Sequence, residues 1–468
     1  MKHYLGLSEY QLRQRQREVP VFYEPERLIN AHMLLCGMSG TGKSFQSIRF
    51  LRSAAKAGVE IDVFDVHEEL ANLPGAVACK YSQATGYGFN PLVLDTDEHT
   101  GGVNRQVDFI VSLIKQLTPQ FGARQEAALR NILVDTYAAS WIRQSDRSSW
   151  RRKKITEAER AAIIEAKRWN DLKQYYPTID DLMSYATRKI VALTIGGDNK
   201  CATAFENLSR IRAKLNNLQS RYAKATSDEE IQKLEGQIAA AKEKCIAGYT
   251  EFVNAMKTGR ELDDILKYDS VDVLSSVMQR IQLLNSTGIF RANEPPFGSA
   301  RVRVHQIKSL TTDQQVLFVK LRLREIFERR KQQGATASGT ELRHIVFLDE
   351  AHKYFTDESD DIINVLAKEA RKFGIGLWCA SQQPTEFPES FLTNVGATVL
   401  LGIHSSFWKR SASMLRISED SLKFIRPKEV LSIKLQRDGE ADPPFVNVIV
   451  PNPNTEAGRR SNGLGATV

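Results

Sequence analysis

Residues 37–44 read Gly37-Met38-Ser39-Gly40-Thr41-Gly42-Lys43-Ser44, which is a complete G-x-x-x-x-G-K-S phosphate-binding loop. An apolar stretch at 32–36 precedes the loop and predicts a short strand, while Phe45 opens a segment with helical spacing. A strand, this loop and a helix in that order form the context that a functional loop of this type requires. The sequence therefore predicts a nucleotide-binding protein.

Each residue type in the loop has a physical reason to be there. The glycines let successive backbone N–H groups turn toward a polyphosphate without a Cβ clash, and the helix N-terminus adds partial positive charge at the same place. Lys43 is placed to reach the β- and γ-phosphates of ATP, and Ser44 is placed to ligate Mg²⁺. The predicted nucleotide-binding residues are Gly37, Met38, Ser39, Gly40, Thr41, Gly42, Lys43, Ser44 and Phe45.

The composition is ordinary for a soluble protein, with 42% hydrophobic and 26% charged residues in a chain of 468. No window approaches about 18 uninterrupted apolar residues, so we expect no membrane insertion. The N-terminus lacks the apolar core of a secretory signal, and the five cysteines are scattered without a C-x-x-C pair. Both features favour the reducing cytoplasm. The net charge of +8 permits binding of a polyanion without requiring it.

Hydrophobic periodicity divides the chain into an α/β core that is interrupted by a helical insertion. Apolar strands alternate with helices on both sides of the insertion, which is the pattern of a parallel sheet. The predicted divisions are a lead-in at 1–30, the first core part at 31–141, the helical insertion at 142–270, the second core part at 271–450 and a mobile tail at 451–468.

The helical insertion contains two apolar seams with a spacing of three to four residues. Ser227 begins an S-x-x-E sequence between the seams, which is typical of a helix start, so we expect an antiparallel hairpin of coiled-coil type. Such a hairpin packs on its own protein or binds a partner. The basic run 151–154 is either a nucleic-acid patch or a solvated helix face. The seams are Leu208, Ile211, Leu215, Leu218 and Tyr222, and Ile231, Leu234, Ile238, Ala241 and Cys245.

A later apolar strand supplies the carboxylates that hydrolysis needs. Residues 345–348 are apolar and run directly into Asp349 and Glu350. We expect Asp349 to hold Mg²⁺ through water, and Glu350 to orient and polarise the attacking water. Asp65 is a competitor because it also ends an apolar strand, but it lacks the adjacent second acid. Gln382 ends the following strand and is predicted to contact the γ-phosphate or the attacking water; without that context it is a polar loop residue.

Six segments together resemble the HerA/FtsK superfamily of DNA-pumping ATPases, with the closest likeness to the HerA branch and to conjugation-type relatives. Each segment except the phosphate-binding loop is a weak signal alone, and their common order is the strong one. The resemblance covers about 31–140 and 270–450. The segments are Gly37–Ser44, Asp65–Glu69, Phe89–Leu92, Leu348–His352, Glu369–Gly374 and Ala380–Pro384.

The resemblance implies a RecA-like fold that uses ATP with Mg²⁺, a ring of six identical subunits, and double-stranded DNA in the central channel. In the family pattern, Arg371 or Lys372 matches a basic residue that is presented near a phosphate, often that of the neighbouring subunit. The alternative for Arg371 is an ordinary surface residue at a helix end. The sequence departs from the family in two respects. We expect no N-terminal β-barrel, since 30 residues before the core are too few for one, and neither the C-terminal winged-helix reader nor the membrane-spanning front end of FtsK relatives is visible.

The leading functional hypothesis is ATP-driven translocation of double-stranded DNA by a ring, as in DNA processing, conjugative transfer or phage defence. The alternative is a nucleotide-gated ring scaffold that assembles and regulates a partner nuclease or another effector. A DEAH-type helicase is disfavoured because no second RecA-like lobe is visible after Gln383. An ABC-type ATPase is disfavoured because the L-S-G-G-Q signature is absent.

Overall fold

The computed structural model describes residues 1–99, 101–118, 120–195, 199–225, 227–255, 267–337, 341–356 and 361–451. The chain forms two compact units. The first, which we call the sheet unit, consists of Met1–Tyr87 together with Pro295–Val468, and the second, the helical unit, consists of Gly88–Glu294. The predicted tail at 451–468 lies almost wholly outside the described residues.

The sheet unit is built on one sheet that has eleven strands in the described part of the chain. Their order across the sheet is β2-β1-β11-β10-β9-β3-β8-β7-β4-β6-β5. The run from β9 to β5 is parallel throughout, whereas β10, β11, β1 and β2 pair antiparallel. The strands are β1 His3–Ser8, β2 Pro20–Tyr23, β3 Met33–Cys36, β4 Glu60–Asp65, β5 Ala76–Lys80, β6 Val302–Gln306, β7 His344–Leu348, β8 Ile375–Ser381, β9 Ala397–Leu400, β10 Val430–Leu435 and β11 Val446–Ile449.

Helices cover both faces of the parallel part of this sheet. Successive side chains of a strand point to opposite faces, and β4 shows the consequence. Val63 belongs to the core cluster that contains Phe50 and Leu51 of the helix after the phosphate-binding loop, whereas Phe64 packs edge-on against Phe318. The helices of this unit are α1 Glu9–Arg15, α2 Lys43–Lys56, α10 Thr312–Gln332, α11 Ile362–Glu369, α12 Glu389–Leu392, α13 Trp408–Leu415 and α14 Glu419–Lys423.

A buried charge network ties three of the parallel strands together. The Asp62 carboxylate on β4 lies 2.7 Å from Nε2 of His305 on β6 and 2.8 Å from Nε2 of His344 on β7, and it accepts hydrogen bonds from Arg303. Burial alone would raise the pKa of Asp62, but the hydrogen bonds from the two histidines outweigh it and hold that pKa well below its usual value. The network therefore fixes β4, β6 and β7 side by side.

The N-terminal residues differ from the predicted lead-in because they extend the sheet. Leu7 of β1 pairs with Ile449 of β11, and Leu5 and Tyr23 are fully buried. A Cβ at residue 6 would lie 2.0 Å from the carbonyl oxygen of Ile449, so this close strand contact requires Gly6. The first 30 residues thus belong to the core, through pairing with residues more than 400 positions away.

The helical unit is wider than the predicted insertion at 142–270. Its first two helices are separated in the sequence by Thr118-Pro119, where a proline disfavours helix continuation. The second of these helices and the last helix of the unit pack with the helix Ile179–Ile195, and the first, the second and the last pack with one another. The helices are α3 Val103–Leu117, α4 Ala123–Ala139, α5 Glu157–Glu165, α6 Ile179–Ile195, α7 Asn199–Tyr222, α8 Asp228–Ala255 and α9 Val271–Ser286.

The predicted helical hairpin is formed by α7 and α8, and α8 begins at Asp228, directly after Ser227. At the open end, Leu208 packs against a cluster that includes Phe252. Nearer the turn, the Tyr222 hydroxyl donates to Glu235 at 2.9 Å, and Leu234 is buried. No helix in the described ranges is both long enough and apolar enough to cross a membrane.

Candidate active site

The phosphate-binding loop has the backbone shape that its glycines predict. Gly40 and Gly42 have φ angles of 80° and 98°, which side-chain-bearing residues rarely adopt. The space around Gly40 is open, so a ligand has room to approach its backbone. The Thr41 hydroxyl donates to the Met38 carbonyl at 2.7 Å and holds the turn closed. The loop begins after β3, and α2 begins at Lys43.

The sheet brings Asp349 and Glu350 to the same edge as this loop. β8 lies between β3 and β7, and all three strands are parallel, so their carboxyl ends meet there. The Lys43 ammonium donates to Glu350 Oε1 at 2.9 Å. Glu350 has a φ angle of 46°, the left-handed conformation, and this turn is what directs its side chain toward the lysine rather than along the strand axis.

The two carboxylates have opposite pKa shifts. Burial raises the pKa of Asp349 to about 6. The negative charges of Glu350 and Asp65 raise this pKa further, whereas the positive charges of Lys43 and His67 lower it. Burial also acts to raise the pKa of Glu350, but the hydrogen bond from Lys43 and its charge reverse the effect and lower it. A cation bound beside Asp349 would stabilise its ionised form, which fits the predicted Mg²⁺ site.

The loop after β4 also reaches the site, although the sequence analysis assigned no site role to its residues beyond naming Asp65 as a competitor of Asp349. This loop, residues 65–70, follows β4, and the Ser44 hydroxyl donates to Glu69 of the loop at 2.6 Å. Nε2 of His67 lies 3.9 Å from Asp349 and 3.8 Å from Glu350. In the sequence, the feature that pointed to this loop is the segment His67-Glu68-Glu69, which directly follows the apolar stretch of β4.

Asp65 itself, the sequence competitor of Asp349, has a different environment. It is fully buried, and its Oδ1 accepts from the backbone N–H groups of residues 67, 68 and 69 at 3.1, 2.8 and 3.4 Å. Its Oδ2 accepts from the N–H of Leu70 at 2.8 Å. Both oxygens are therefore used to hold the 65–70 loop.

Gln382 follows β8 directly and is exposed at the edge between the phosphate-binding loop and Asp349. The residues next to Gln382 in the chain belong to a small hydrogen-bonded group made of Ser381, Gln383, Glu386 and His352. The Ser381 hydroxyl donates to Glu386 at 2.5 Å and lies 2.8 Å from Nδ1 of His352. Gln383 also donates to Glu386, at 3.3 Å. This group fixes the backbone that carries Gln382.

Arg371 and Lys372 lie at the other edge of the sheet. They precede β8, whereas the phosphate-binding loop and Gln382 follow the carboxyl ends of β3 and β8. The seven residues of β8 separate the two edges, which corresponds to about 20 Å. Within one chain, these two basic residues and the phosphate-binding loop do not form a common site.

A cavity of about 300 Å³ opens beside the phosphate-binding loop. Its walls are largely apolar and come from the loop helix, β10 and the ends of β9 and β11. The side chain of Phe45 stands at this cavity and is 48% exposed. Lys428, whose N–H donates to the Thr41 carbonyl at 3.3 Å, closes it from the other side. The lining includes Thr41, Gly42, Phe45, Leu401, Lys428 and Val430.

Comparison with known families agrees with this arrangement. A sequence profile described as the central domain of the helicase HerA matches residues 11–326, which is more than half of the chain. The chain belongs to the HerA family. A second profile, for the C-terminal part of HerA-like helicases, matches residues 298–424. The predicted resemblance is therefore confirmed, and the chain is a HerA-type P-loop ATPase.

One curated protein and one solved structure are among those similar to this chain. A probable helicase of Methanocaldococcus jannaschii is 26% identical over 150 residues, which is 30% of this chain and 29% of that protein. The solved structure of VirB4 of Thermoanaerobacter pseudethanolicus matches with a TM-score of 0.56 and 14% identity, covering 96% of both chains. At that identity the likeness shows the fold, and the predicted RecA-like fold with its helical insertion is confirmed.

Proposed function

We propose that this chain is an ATP-hydrolysing ring motor that translocates double-stranded DNA. The observation that carries the proposal is the convergence of Lys43, Glu350, Asp349 and Ser44 at one edge of the sheet, with Lys43 and Glu350 in contact at 2.9 Å. A phosphate-binding loop with an adjacent buried carboxylate and a second carboxylate for water activation is the arrangement of a nucleotide hydrolase.

Each side chain has a defined task in the proposed reaction. The backbone N–H groups of residues 40–44 and the Lys43 ammonium would bind the β- and γ-phosphates, while Ser44 and Asp349 would hold Mg²⁺. When bound with ATP, Mg²⁺ would neutralise negative charge on the phosphates. Glu350 orients a water whose oxygen forms a bond to the γ-phosphorus, as the bond from that phosphorus to the bridging oxygen of ADP breaks.

The contact between Lys43 and Glu350 connects nucleotide binding to the activation of water. While the two are paired, the lysine is turned away from the phosphates and the carboxylate is occupied. Binding of the phosphates gives Lys43 a new anionic partner and frees Glu350 for water. The pair is largely buried, with side-chain exposures of 13% and 9%, so the exchange takes place where electrostatic interactions are strong.

We further propose that six subunits form the ring and that Arg371 or Lys372 completes the site of a neighbouring subunit. The position of both residues at the sheet edge opposite their own phosphate-binding loop supports action in trans. A trans-acting arginine contributes roughly 10³–10⁵ in rate by stabilising charge in the transition state. Gln382 would report hydrolysis to the rest of the fold through the Ser381–Glu386 group.

The direct test is the ATPase rate with and without long duplex DNA at low salt. A translocase should hydrolyse ATP faster with duplex, show little sequence preference and lose DNA affinity steeply as salt rises, because bound phosphates release counterions. Glu350→Gln should bind ATP and stop turnover. Turnover at the wild-type level in Glu350→Gln would refute the assignment of the catalytic carboxylate.

The second candidate function is a nucleotide-gated ring scaffold for a partner nuclease or another effector. One observation favours it. Ile246, Tyr249 and Val253 form an exposed apolar row on α8, at the three-to-four spacing of one helix face, which suits the docking of another protein. A well-assembled ring whose ATPase rate does not respond to duplex DNA would favour this function.

A further inference from the structure

Two tryptophans of the helical unit lie on its surface beside the basic run 151–154. Trp141 and Trp169 are each 58% exposed, whereas Trp150, which adjoins the run in sequence, is buried and donates its indole N–H to the Arg143 carbonyl at 2.9 Å. We call this region the Trp141/Trp169 surface, and it comprises Trp141, Arg151, Lys153, Trp169 and Lys173.

The position of Trp141 is conformationally unfavourable for its residue type. It follows the end of α4 and has a φ angle of 62°, and its N–H donates to the Ala138 carbonyl at 3.0 Å. Glycine or asparagine is the usual residue at this left-handed helix end, and a bulky residue there is strained. Since an observed outlier of this kind suggests a function, the exposed indole needs an explanation other than packing.

Backbone hydrogen bonds place the basic run beside the tryptophan. The N–H of Lys153 donates to the Gln174 carbonyl at 2.9 Å, and the N–H of Tyr176 donates to the Lys153 carbonyl at 3.0 Å. The Arg152 guanidinium donates to the Trp141 carbonyl at 3.0 Å. These bonds fix the basic run against the 173–176 segment, with the side chains of Arg151 and Lys153 exposed.

Lys173 contacts Trp141 and lines the same cavity as Trp169. Its ammonium lies 4.7 Å from the centroid of the Trp141 ring, within the range of a cation–π contact. Lys173 and Trp169 also line one cavity of about 840 Å³. Three acidic residues also line this cavity, namely Asp180, Asp181 and Glu206. The Arg160 guanidinium lies 3.9 Å from the Asp180 carboxylate and 2.5 Å from that of Asp181, and Arg188 is a further basic residue of the lining. Residues 142–195 contain twelve lysines and arginines against seven acidic residues.

We propose that the Trp141/Trp169 surface binds single-stranded nucleic acid. Indole rings offer stacking platforms to unpaired bases, and neighbouring lysine and arginine side chains track the phosphates. A duplex keeps its base faces stacked inside and cannot use the indoles in this way. This site is therefore additional to the duplex channel of the motor proposal, and it does not depend on that proposal.

The test is the fluorescence anisotropy of a labelled oligothymidylate bound to the full chain without ATP at low salt. Trp141→Gly removes the ring, and glycine readily adopts the positive φ angle of this position. The variant is therefore expected to fold. We expect Trp141→Gly and Trp169→Ala each to weaken binding at least about fivefold. Trp141→Phe should retain much of the affinity, because it keeps an aromatic face.

Matched controls separate this site from general charge and from the motor. Tyr249→Ala removes an aromatic side chain of the same unit that is 59% exposed but lies on the hairpin, and it should bind the oligonucleotide like the wild type. Lys43→Ala should lose ATP hydrolysis and keep oligonucleotide binding, so a failed motor and a failed surface are distinguishable. Replacing Lys153 and Lys173 by glutamine should reduce the salt dependence of binding.

Three results would overturn the proposal. The first is wild-type affinity in the folded Trp141→Gly, Trp169→Ala double variant. The second is an equal loss of affinity for a duplex of the same length, which would mean that the surface acts by charge alone. The third is full competition by polyglutamate together with unchanged binding of the tryptophan variants, which would point to an acidic protein as the partner.

Discussion

We expect Asp65→Asn to destabilise the sheet unit while leaving Mg²⁺-dependent ATP hydrolysis largely intact. The reason is the use of both carboxylate oxygens by the backbone of residues 67–70. An asparagine of the same shape has one acceptor oxygen instead of two. Whichever way its amide turns, an NH₂ group faces at least one buried N–H, and no orientation satisfies all four donors.

The magnitude follows from these contacts. One buried N–H left without an acceptor costs about 1–3 kcal/mol, and hydrogen bonds to a charged acceptor are stronger than those to a neutral one by about 1 kcal/mol. The total is a loss of about 2–4 kcal/mol in the free energy of unfolding. At about 2–4 °C per kcal/mol for a unit of this size, the melting temperature should fall by roughly 4–16 °C.

The assay pairs thermal unfolding with ATPase rates measured well below the melting temperature. Asp349→Asn is the matched control, since it changes the same residue type at the end of the neighbouring strand. We expect Asp349→Asn to abolish Mg²⁺-dependent turnover with little change in melting, and Asp65→Asn to keep turnover within about tenfold. The reasoning is refuted if Asp65→Asn melts like the wild type and loses turnover as completely as Asp349→Asn.

Four further outcomes are expected. Lys43→Ala should abolish tight ATP binding, whereas Glu350→Gln should bind ATP in an equilibrium assay and slow turnover at least about 100-fold; equal binding by both variants would contradict the division of roles. Mixing Arg371→Ala subunits with Lys43→Ala subunits should restore some ATPase activity, because a mixed interface then contains one intact site, and assembled mixtures without activity would argue against action in trans. Burial lowers the pKa of His32 to about 4, so its contribution to stability is complete above the unfolded pKa of about 6.5 and is lost as the pH falls; between pH 8 and pH 5.5 the wild type should lose about 1.4 kcal/mol more unfolding free energy than His32→Gln, and an equal loss in both would contradict a neutral buried His32. Replacing residues 209–244 by a short Gly/Ser linker should leave ATP binding intact and weaken ring assembly or partner docking in size-exclusion and pull-down measurements, while loss of ATP binding in the folded variant would contradict an ATP site that is independent of the hairpin.

The elements that could be predicted from the sequence are those whose signal is local. The strand before the phosphate-binding loop and the strand before Asp349 are continuous apolar runs, because strands of a parallel sheet are buried on both faces. Their carboxyl ends are necessarily at one edge. The sequence therefore predicts both the loop and the carboxylate pair, and it predicts that they lie close together.

The antiparallel strands could not be predicted in the same way. β10 contains a buried serine, Ser432, and β1 is interrupted by Gly6, so neither gives a clear alternating pattern. Their stability comes from partners far along the chain, such as Ile449 opposite Leu7. Strand propensity depends strongly on such neighbours, and sequence periodicity does not contain them.

Some side chains near the candidate site could not be predicted from the sequence either. The contact of Ser44 with Glu69 depends on how the chain turns after β4, and the sequence alone gives no reason to expect that turn to face the phosphate-binding loop. The exposure of Trp141 was also unpredictable. An apolar aromatic residue next to a helix end indicates packing, whereas the structure leaves Trp141 58% exposed, at a left-handed backbone angle.

The difference between Asp65 and Asp349 shows how the chain after a strand decides the use of a carboxylate. Both residues follow apolar strands, and these strands are neighbours, with the N–H of Asp349 donating to the Phe64 carbonyl at 3.2 Å. After Asp65 the chain turns back over the carboxylate and presents four N–H groups to it. After Asp349 the left-handed turn at Glu350 carries the chain away. The Asp65 carboxylate thus accepts hydrogen bonds from four backbone N–H groups. The Asp349 carboxylate stays buried beside Lys43 with a raised pKa, and a bound cation would stabilise its ionised form.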